Sequence, residues 1–138
     1  MFQLKIDQEF NAPVATLFNA WSKPEVLAKW FAPGDMSVPE AELEFKKGGQ
    51  YRIVMENKER EQFIVGGKYL EIDSPNKLVF SWQWSTSPHI TQVTVLFSEL
   101  ADNKSKLELI HNEFETQEFC DKHHQGWMGC LANLPRVL

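Results

Sequence analysis

The chain has 138 residues, 43% of them hydrophobic, which is typical of one globular domain, here expected over residues 1–138. Its 19 acidic and 14 basic side chains give a formal net charge of −5, and no basic run is longer than Lys46-Lys47. Because nucleic acids and anionic membrane surfaces both attract basic patches, the composition argues against either as a partner.

The first third of the chain predicts two strands separated by two short helices. Phe2–Ile6 alternates apolar and polar residues, as a strand does. Asn11 and Ser22, each followed two residues later by a proline, are the expected N-caps of the two helices. Pro33 with the following glycine ends the second helix, and Pro39–Phe45 carries a weaker strand pattern.

The middle of the chain predicts five further strands separated by short turns. Each segment alternates apolar with polar residues or is rich in β-branched residues. The predicted strands cover residues 51–55, 63–72, 78–84, 90–97 and 106–111. Within the second of them, Gly66-Gly67 suggests a bulge or a sharp bend. Consecutive strands joined by short turns form an antiparallel meander.

The last part of the chain predicts one long helix that begins after Thr116, a plausible N-cap. Its apolar face recurs at steps of three and four residues over about six turns. That face consists of Phe119, His123, Trp127, Cys130, Leu134 and Val137. No other element is large enough to cover one face of the sheet. We therefore expect an α+β fold in which a curved antiparallel sheet of about six to seven strands wraps around this helix.

Short segments spread over the whole chain resemble one known family in their order and spacing. They are Ala12-Pro13 with Val14 and Phe18, Trp21-Ser22-Lys23-Pro24, Trp30-Phe31-Ala32-Pro33, Gly48-Gly49-Gln50-Tyr51, Gly67–Ile72, Leu78–Trp82, and His124-Gln125-Gly126-Trp127 with Leu131 and Leu134. In these segments the chain resembles the activator-of-heat-shock-protein-90-ATPase-homologue-like family of small bacterial proteins, within the START-like (SRPBCC) superfamily. The resemblance implies a helix-grip fold of the START/Bet v 1 type, with a cavity that binds lipids, polyketides or other hydrophobic molecules.

Large side chains on the predicted sheet and helices are the candidate site residues. A concave sheet carrying aromatic rings, Met and Tyr hydroxyls offers an apolar pocket with a few polar anchors, the usual form of a small-ligand site. The candidates to line it are Trp30, Tyr51, Met55, Phe63, Tyr69, Trp82, Trp84, His123 and Trp127. The alternative interpretation is that these rings only fill the core, and Gly126 beside Trp127 then relieves crowding against the sheet. Trp21 and Trp30 are expected to close one end of the cavity.

Histidine and cysteine residues give little support for metal binding or catalysis. No two histidines lie three or four residues apart on the last helix, and no Cys-x-x-Cys occurs, so we expect neither a metal nor a cofactor. Cys120 and Cys130 lie about 15 Å apart along the predicted helix, which favours reduced thiols in a cytoplasmic protein. Cys120 and His124 form a weak candidate catalytic pair. A buried, hydrogen-bonded His123 is the favoured interpretation, and a ligand-contacting His123 is the alternative.

Three functions remain open, because the superfamily contains enzymes such as aromatases, cyclases and hydrolases as well as binding proteins. The favoured one is a non-enzymatic carrier or sensor of a small hydrophobic ligand. The second is a cyclase- or hydrolase-like enzyme that uses the same cavity, with His123 or Tyr69 as its polar group. The third is a co-chaperone-like interaction module with an exposed apolar patch, for which the residues themselves give no support.

Overall fold

Seven strands form one antiparallel sheet in the computed structural model, which describes all 138 residues. In chain order they are β1 (Phe2–Phe10), β2 (Ser37–Leu43), β3 (Gln50–Glu56), β4 (Gln62–Asp73), β5 (Lys77–Trp84), β6 (Thr91–Ala101) and β7 (Lys104–Phe114). Their order across the sheet is β1-β7-β6-β5-β4-β3-β2, with every neighbouring pair antiparallel. The predicted meander therefore runs from β2 to β7, and β1 joins it at the edge beside β7.

Three helices complete the fold: α1 (Val14–Ser22), α2 (Pro24–Leu27) and α3 (Gln117–Asn133). The Thr116 hydroxyl accepts a hydrogen bond of 3.1 Å from the backbone N–H of Phe119, so the predicted N-cap of α3 is confirmed. A 3-10 turn over Leu134–Arg136 follows α3 directly. None of the helices combines the length and the apolar character that crossing a membrane requires. The predicted α+β class, with a curved sheet and a long C-terminal helix, is confirmed.

The starts of the two short helices differ from the prediction. Pro13, not Asn11, occupies the N-cap of α1, and no side chain caps that end. Ser22 is the last residue of α1, where its hydroxyl donates to the Asn19 carbonyl at 3.2 Å, and Lys23 precedes α2. At α2 the proline explains the difference, because Pro24 is the first helical residue, where its fixed φ near −65° suits the helix and its missing N–H leaves one fewer donor to cap.

The glycine pair in β4 reflects a close approach of two strands. A Cβ atom on Gly67 would clash with the carbonyl oxygen of Ser81 on β5. The Ser81 hydroxyl there accepts a hydrogen bond of 2.9 Å from the N–H of Lys68. The shift in the β4–β5 register lies further along, between Tyr69 and Glu71. Glycine is therefore needed for contact between the strands, and the bulge itself falls at a later position than predicted.

The apolar face of α3 is only partly buried. Cys120, Trp127, Cys130 and Leu131 belong to a core cluster of 30 buried residues. Phe119, which the periodicity places on the apolar face, is 40% exposed and borders the cavity. The apolar face of the helix therefore continues beyond the packed core and borders an opening.

Two tryptophans close one end of the space under α3: Trp21 on α1, and Trp30 in the turn that follows α2, which ends at Leu27 and is shorter than predicted. The Trp30 indole is 1% exposed, and its N–H donates to the Ala20 carbonyl at 3.0 Å. The Trp21 ring meets Trp30 edge-on at a centroid distance of 4.7 Å and stacks on Trp127 at 6.0 Å. These rings make a solid plug at this end of the space between the sheet and α3.

Candidate ligand-binding site

An open, mainly apolar cavity of about 760 Å³ lies between the sheet and α3. Its sheet wall is made by Met55, Phe63, Ile64, Trp82 and Trp84, its helix wall by Phe119, His123, Gly126, Trp127 and Cys130, and a third wall by Phe31, Pro33 and Met36. Small-ligand sites typically have about 300–1,000 Å³ of space with few polar groups. The cavity therefore has the size and the lining of such a site.

Of the nine candidate residues, six border this cavity and three do not. Those that border it are Met55, Phe63, Trp82, Trp84, His123 and Trp127. Trp30 lies in the plug described above, and Tyr51 and Tyr69 border a separate void of about 10 Å³. A void of that size holds one water at most. The three residues share the inner side of the fold with the others, but Trp21 of α1 and Phe31, which follows α2, fill the space in front of the two tyrosines.

The two tyrosines are held as neutral side chains away from the cavity. The Tyr51 hydroxyl donates to the Ser81 carbonyl at 2.6 Å, and burial raises the pKa of Tyr51 well above its usual range. Burial also raises the pKa of Tyr69. Neither hydroxyl is therefore placed to exchange a proton with a ligand in the cavity.

His123 stands in the helix wall with both of its ring nitrogens engaged. Its Nδ1 lies 2.9 Å from the Phe119 carbonyl oxygen, so Nδ1 carries the proton. Its Nε2 accepts a hydrogen bond of 2.9 Å from the indole N–H of Trp84 on β5. Burial lowers the pKa of His123, which agrees with this neutral tautomer. The bond fixes the Trp84 ring across the junction of sheet and helix.

His111 on β7 repeats this arrangement deeper in the core, where it is fully buried. Its Nδ1 accepts a hydrogen bond of 3.0 Å from the Trp127 indole, and its Nε2 lies 2.7 Å from the Thr91 hydroxyl. Thr91 in turn donates to the Trp82 carbonyl at 3.3 Å. Desolvation, with a contribution from His123, lowers the pKa of His111 to about 2. Both cavity-lining indoles that make hydrogen bonds are therefore anchored by neutral histidines.

Two glycines on α3 have opposite surroundings. Gly126 borders the cavity, and a Cβ atom there would meet nothing within 4 Å, so it does not relieve crowding against the sheet. At Gly129 a Cβ atom would lie 2.7 Å from the Cβ atom of Pro33. The close approach that the sequence suggests beside Trp127 therefore occurs at Gly129, one helical turn later.

The polar part of the lining consists of Gln62, Ser85, Thr86, Ser87, Lys122 and His123. Ser85 and Thr86 are exposed at the end of β5, directly after Trp84. Ser85, Thr86 and Lys122 were not predicted from the sequence as lining residues, and neither was the wall made by Phe31, Pro33 and Met36. The periodicity of α3 is a signal for its cavity residues, whereas the loop segments carry no periodic signal at all.

The family model described as Activator of Hsp90 ATPase homolog 1-like protein matches residues 11–138 of the chain. The chain belongs to this family. The resemblance stated from the sequence segments is thereby confirmed. No curated protein matches the chain.

Solved structures of bacterial proteins share the fold of this Activator of Hsp90 ATPase homolog 1-like chain. The AHSA1 protein from Silicibacter pomeroyi has a TM-score of 0.88 at 25% identity, over 98% of this chain and 96% of the other. A protein from Chromobacterium violaceum has a TM-score of 0.89 at 18% identity, over 100% and 98% of the two chains. One from Nitrosomonas europaea has a TM-score of 0.83 at 21% identity, over 99% and 93%. The helix-grip arrangement is thus shared at low sequence identity.

The chemistry available in the cavity of this Activator of Hsp90 ATPase homolog 1-like protein is limited. Burial raises the pKa of Cys130 to about 12, so its thiol remains protonated. Cys120 is buried, whereas His124 is exposed. No group of three or more His, Cys, Asp or Glu side chains has the arrangement of a metal site.

Proposed function

We propose that residues 1–138 act as one domain that binds a small, largely apolar ligand in the cavity between the sheet and α3. The observation that carries this proposal is the open cavity of about 760 Å³ with an apolar lining. A packed helix-grip interior would have left only voids the size of the second one, about 10 Å³. The protein then acts as a carrier or a sensor of its ligand.

The fixed cavity walls support this function. Ordering a mobile side chain on binding costs about 0.5–1.5 kcal/mol, which weakens affinity. The indoles of Trp84 and Trp127 are already held by hydrogen bonds of 2.9 and 3.0 Å to His123 and His111. A ligand therefore meets rings that are in place before it binds.

The name of the family suggests a chaperone-type interaction, but the structure supports this function less than ligand binding. The large hydrophobic side chains that are exposed include Phe2, Leu70, Leu100 and Met128, on separate elements. Phe63 and Phe119 are exposed too, but both border the cavity. These two side chains therefore form part of the apolar opening of the cavity and not a flat apolar patch.

Filling the cavity from Gly126 tests the proposal. A Cβ atom on Gly126 meets nothing within 4 Å, so Gly126→Leu can place a side chain beside the cavity. The neutral fluorescent probe N-phenyl-1-naphthylamine is expected to bind the parent protein, and Gly126→Leu is expected to weaken this binding at least about tenfold. Melting temperatures of both proteins would show that the fold is kept.

Ala132→Leu is the matched control, because Ala132 is exposed on the same helix and does not border the cavity. It should bind the probe as the parent does. Equal binding by Gly126→Leu and Ala132→Leu would place the bound probe elsewhere. A parent protein that binds neither this probe nor any small molecule seen by native mass spectrometry of protein from its own host would overturn the proposed function.

A further inference from the structure

The charge of the cavity lining differs in sign from that of the whole chain. The chain carries 19 acidic side chains and a net charge of −5. Yet none of the 18 lining residues is acidic, and the only lysine or arginine among them is Lys122. With His123 held neutral by its two partners, Lys122 supplies the only formal charge of the lining.

Lys122 is free to bind a ligand at low cost. Its ammonium group lies 3.6 Å from the Glu118 carboxylate, but the two side chains are 69% and 82% exposed. An exposed pair of this kind one helical turn apart contributes little stability. A ligand anion at the cavity mouth can therefore replace Glu118 as the partner of the ammonium.

A hydroxyl-bearing loop reaches the same mouth. Ser85 and Thr86 follow Trp84 directly, and Lys122 directly precedes His123. The hydrogen bond of 2.9 Å between Trp84 and His123 brings these two segments together. All of these residues border the cavity, so the hydroxyl groups of Ser85 and Thr86 and the ammonium group of Lys122 belong to the polar part of its lining.

We infer that the ligand is an anionic amphiphile whose apolar body lies against Trp82, Trp84 and Trp127, with its carboxylate or similar anionic head group at Lys122. This inference rests on the proposed function and specifies the chemistry of its ligand. Tryptophan faces also attract cations. A cationic head group, however, would meet Lys122 and no carboxylate in the lining.

Three ligands that share one hydrocarbon chain and differ in the charge of the head group test the inference. Dodecanoate, dodecanol and dodecylammonium, each below its micelle concentration, would be titrated against bound N-phenyl-1-naphthylamine at low salt. The dissociation constant of dodecanoate, measured by displacement of the probe, should be about threefold to fivefold lower than that of dodecanol, as expected for one partly exposed ion pair. Dodecylammonium should bind most weakly of the three. Raising the salt concentration should narrow these differences, because the head groups are near solvent.

Two variants assign the preference to its residue. Lys122→Met should abolish the preference for dodecanoate over dodecanol, whereas Lys5→Met, an exposed lysine on β1 outside the cavity, should keep it. Equal displacement by dodecanoate and dodecanol in the parent protein, or a preference that survives in Lys122→Met, would overturn the inference and leave the cavity proposal standing. Failure of all three ligands to bind would count against both the inference and the proposed function.

Discussion

The Trp127 indole N–H donates a hydrogen bond of 3.0 Å to Nδ1 of the fully buried His111, and this bond joins α3 to β7. An imidazole accepts such a bond only in its neutral form, since protonation would place two donors against each other. The Thr91 hydroxyl at 2.7 Å from Nε2 occupies the other ring nitrogen. This contact between α3 and β7 therefore depends on the protonation state of His111.

Acid should weaken the fold through His111. Its pKa is lowered from 6.5 to about 2 in the folded protein, so below pH 6.5 the unfolded chain binds a proton that the folded protein does not. The stability that the neutral His111 contributes is therefore complete above pH 6.5. As the pH falls below 6.5, this contribution decreases by about 1.4 kcal/mol for each pH unit. The lowered pKa of His123 acts in the same direction. Urea unfolding at pH 7.0, 5.5 and 4.5 measures this loss.

His111→Gln and His124→Gln separate this effect from general acid unfolding. His111→Gln should be less stable at pH 7 by about 1–3 kcal/mol, because a flexible amide replaces the fixed imidazole nitrogen that accepts from the buried Trp127 N–H. Its stability should, however, fall less steeply with acid than that of the parent. His124 is exposed, so His124→Gln should follow the parent at every pH. Parallel curves for the parent and His111→Gln would contradict a neutral His111.

Trp30 should be a structural residue and Trp84 a binding residue. Trp30→Ala removes an indole that is 1% exposed and leaves a cavity, which should cost about 3–5 kcal/mol of unfolding free energy. Trp84 is half-buried in the cavity wall, so Trp84→Ala should cost less stability and mainly weaken probe binding. Thermal melts and probe titrations of both variants check this. A melting temperature of Trp30→Ala within a degree or two of the parent would show that it is not a plug.

The two glycines of α3 should respond oppositely to alanine. Gly126→Ala adds a methyl group in open space and should raise the stability by about 1 kcal/mol through helix propensity. Gly129→Ala gains the same propensity, but its Cβ atom would lie 2.7 Å from Pro33 and force the helix away from that loop. Its melting temperature should therefore be lower than that of the parent. A higher one would mean that the loop moves aside easily.

Removing the Trp84 donor should make His123 easier to protonate. Its indole N–H binds the lone pair of Nε2 at 2.9 Å, which favours the neutral ring. Trp84→Phe keeps an aromatic ring but removes the donor, so the pKa of His123 should rise toward its ordinary value. Histidine ring resonances followed by NMR over pH measure this change. An unchanged His123 titration in Trp84→Phe would show that burial alone sets the pKa.

The fold could be predicted from the sequence because its two periodicities are clear. Alternation in β5 and the three- and four-residue steps in α3 fix the faces of sheet and helix, and short turns fix the meander. The helix starts were predicted less well, since Pro13 and not Asn11 is the N-cap residue of α1. Periodicity also places Phe119 on the apolar face of α3, but it does not show that this face continues beyond the packed core.

The cavity could be predicted only in part, for a physical reason. Alternation shows that Tyr51 and Met55 share one face of β3, but it does not show how far along that face the packed core extends. The rings of Trp21 and Phe31 fill the space near Tyr51, and the space near Met55 stays open. Where the interior is filled depends on helix placement, which is a property of the whole fold.

The distribution of the five tryptophans makes the protein its own optical probe. Trp82, Trp84 and Trp127 border the cavity, whereas Trp21 and Trp30 lie in the plug. The emission of the first three depends on what touches their rings, while Trp21 and Trp30 are buried away from the cavity and give a background that changes less. Quenching or a spectral shift of the intrinsic fluorescence can therefore follow occupancy of the cavity in the unlabelled protein.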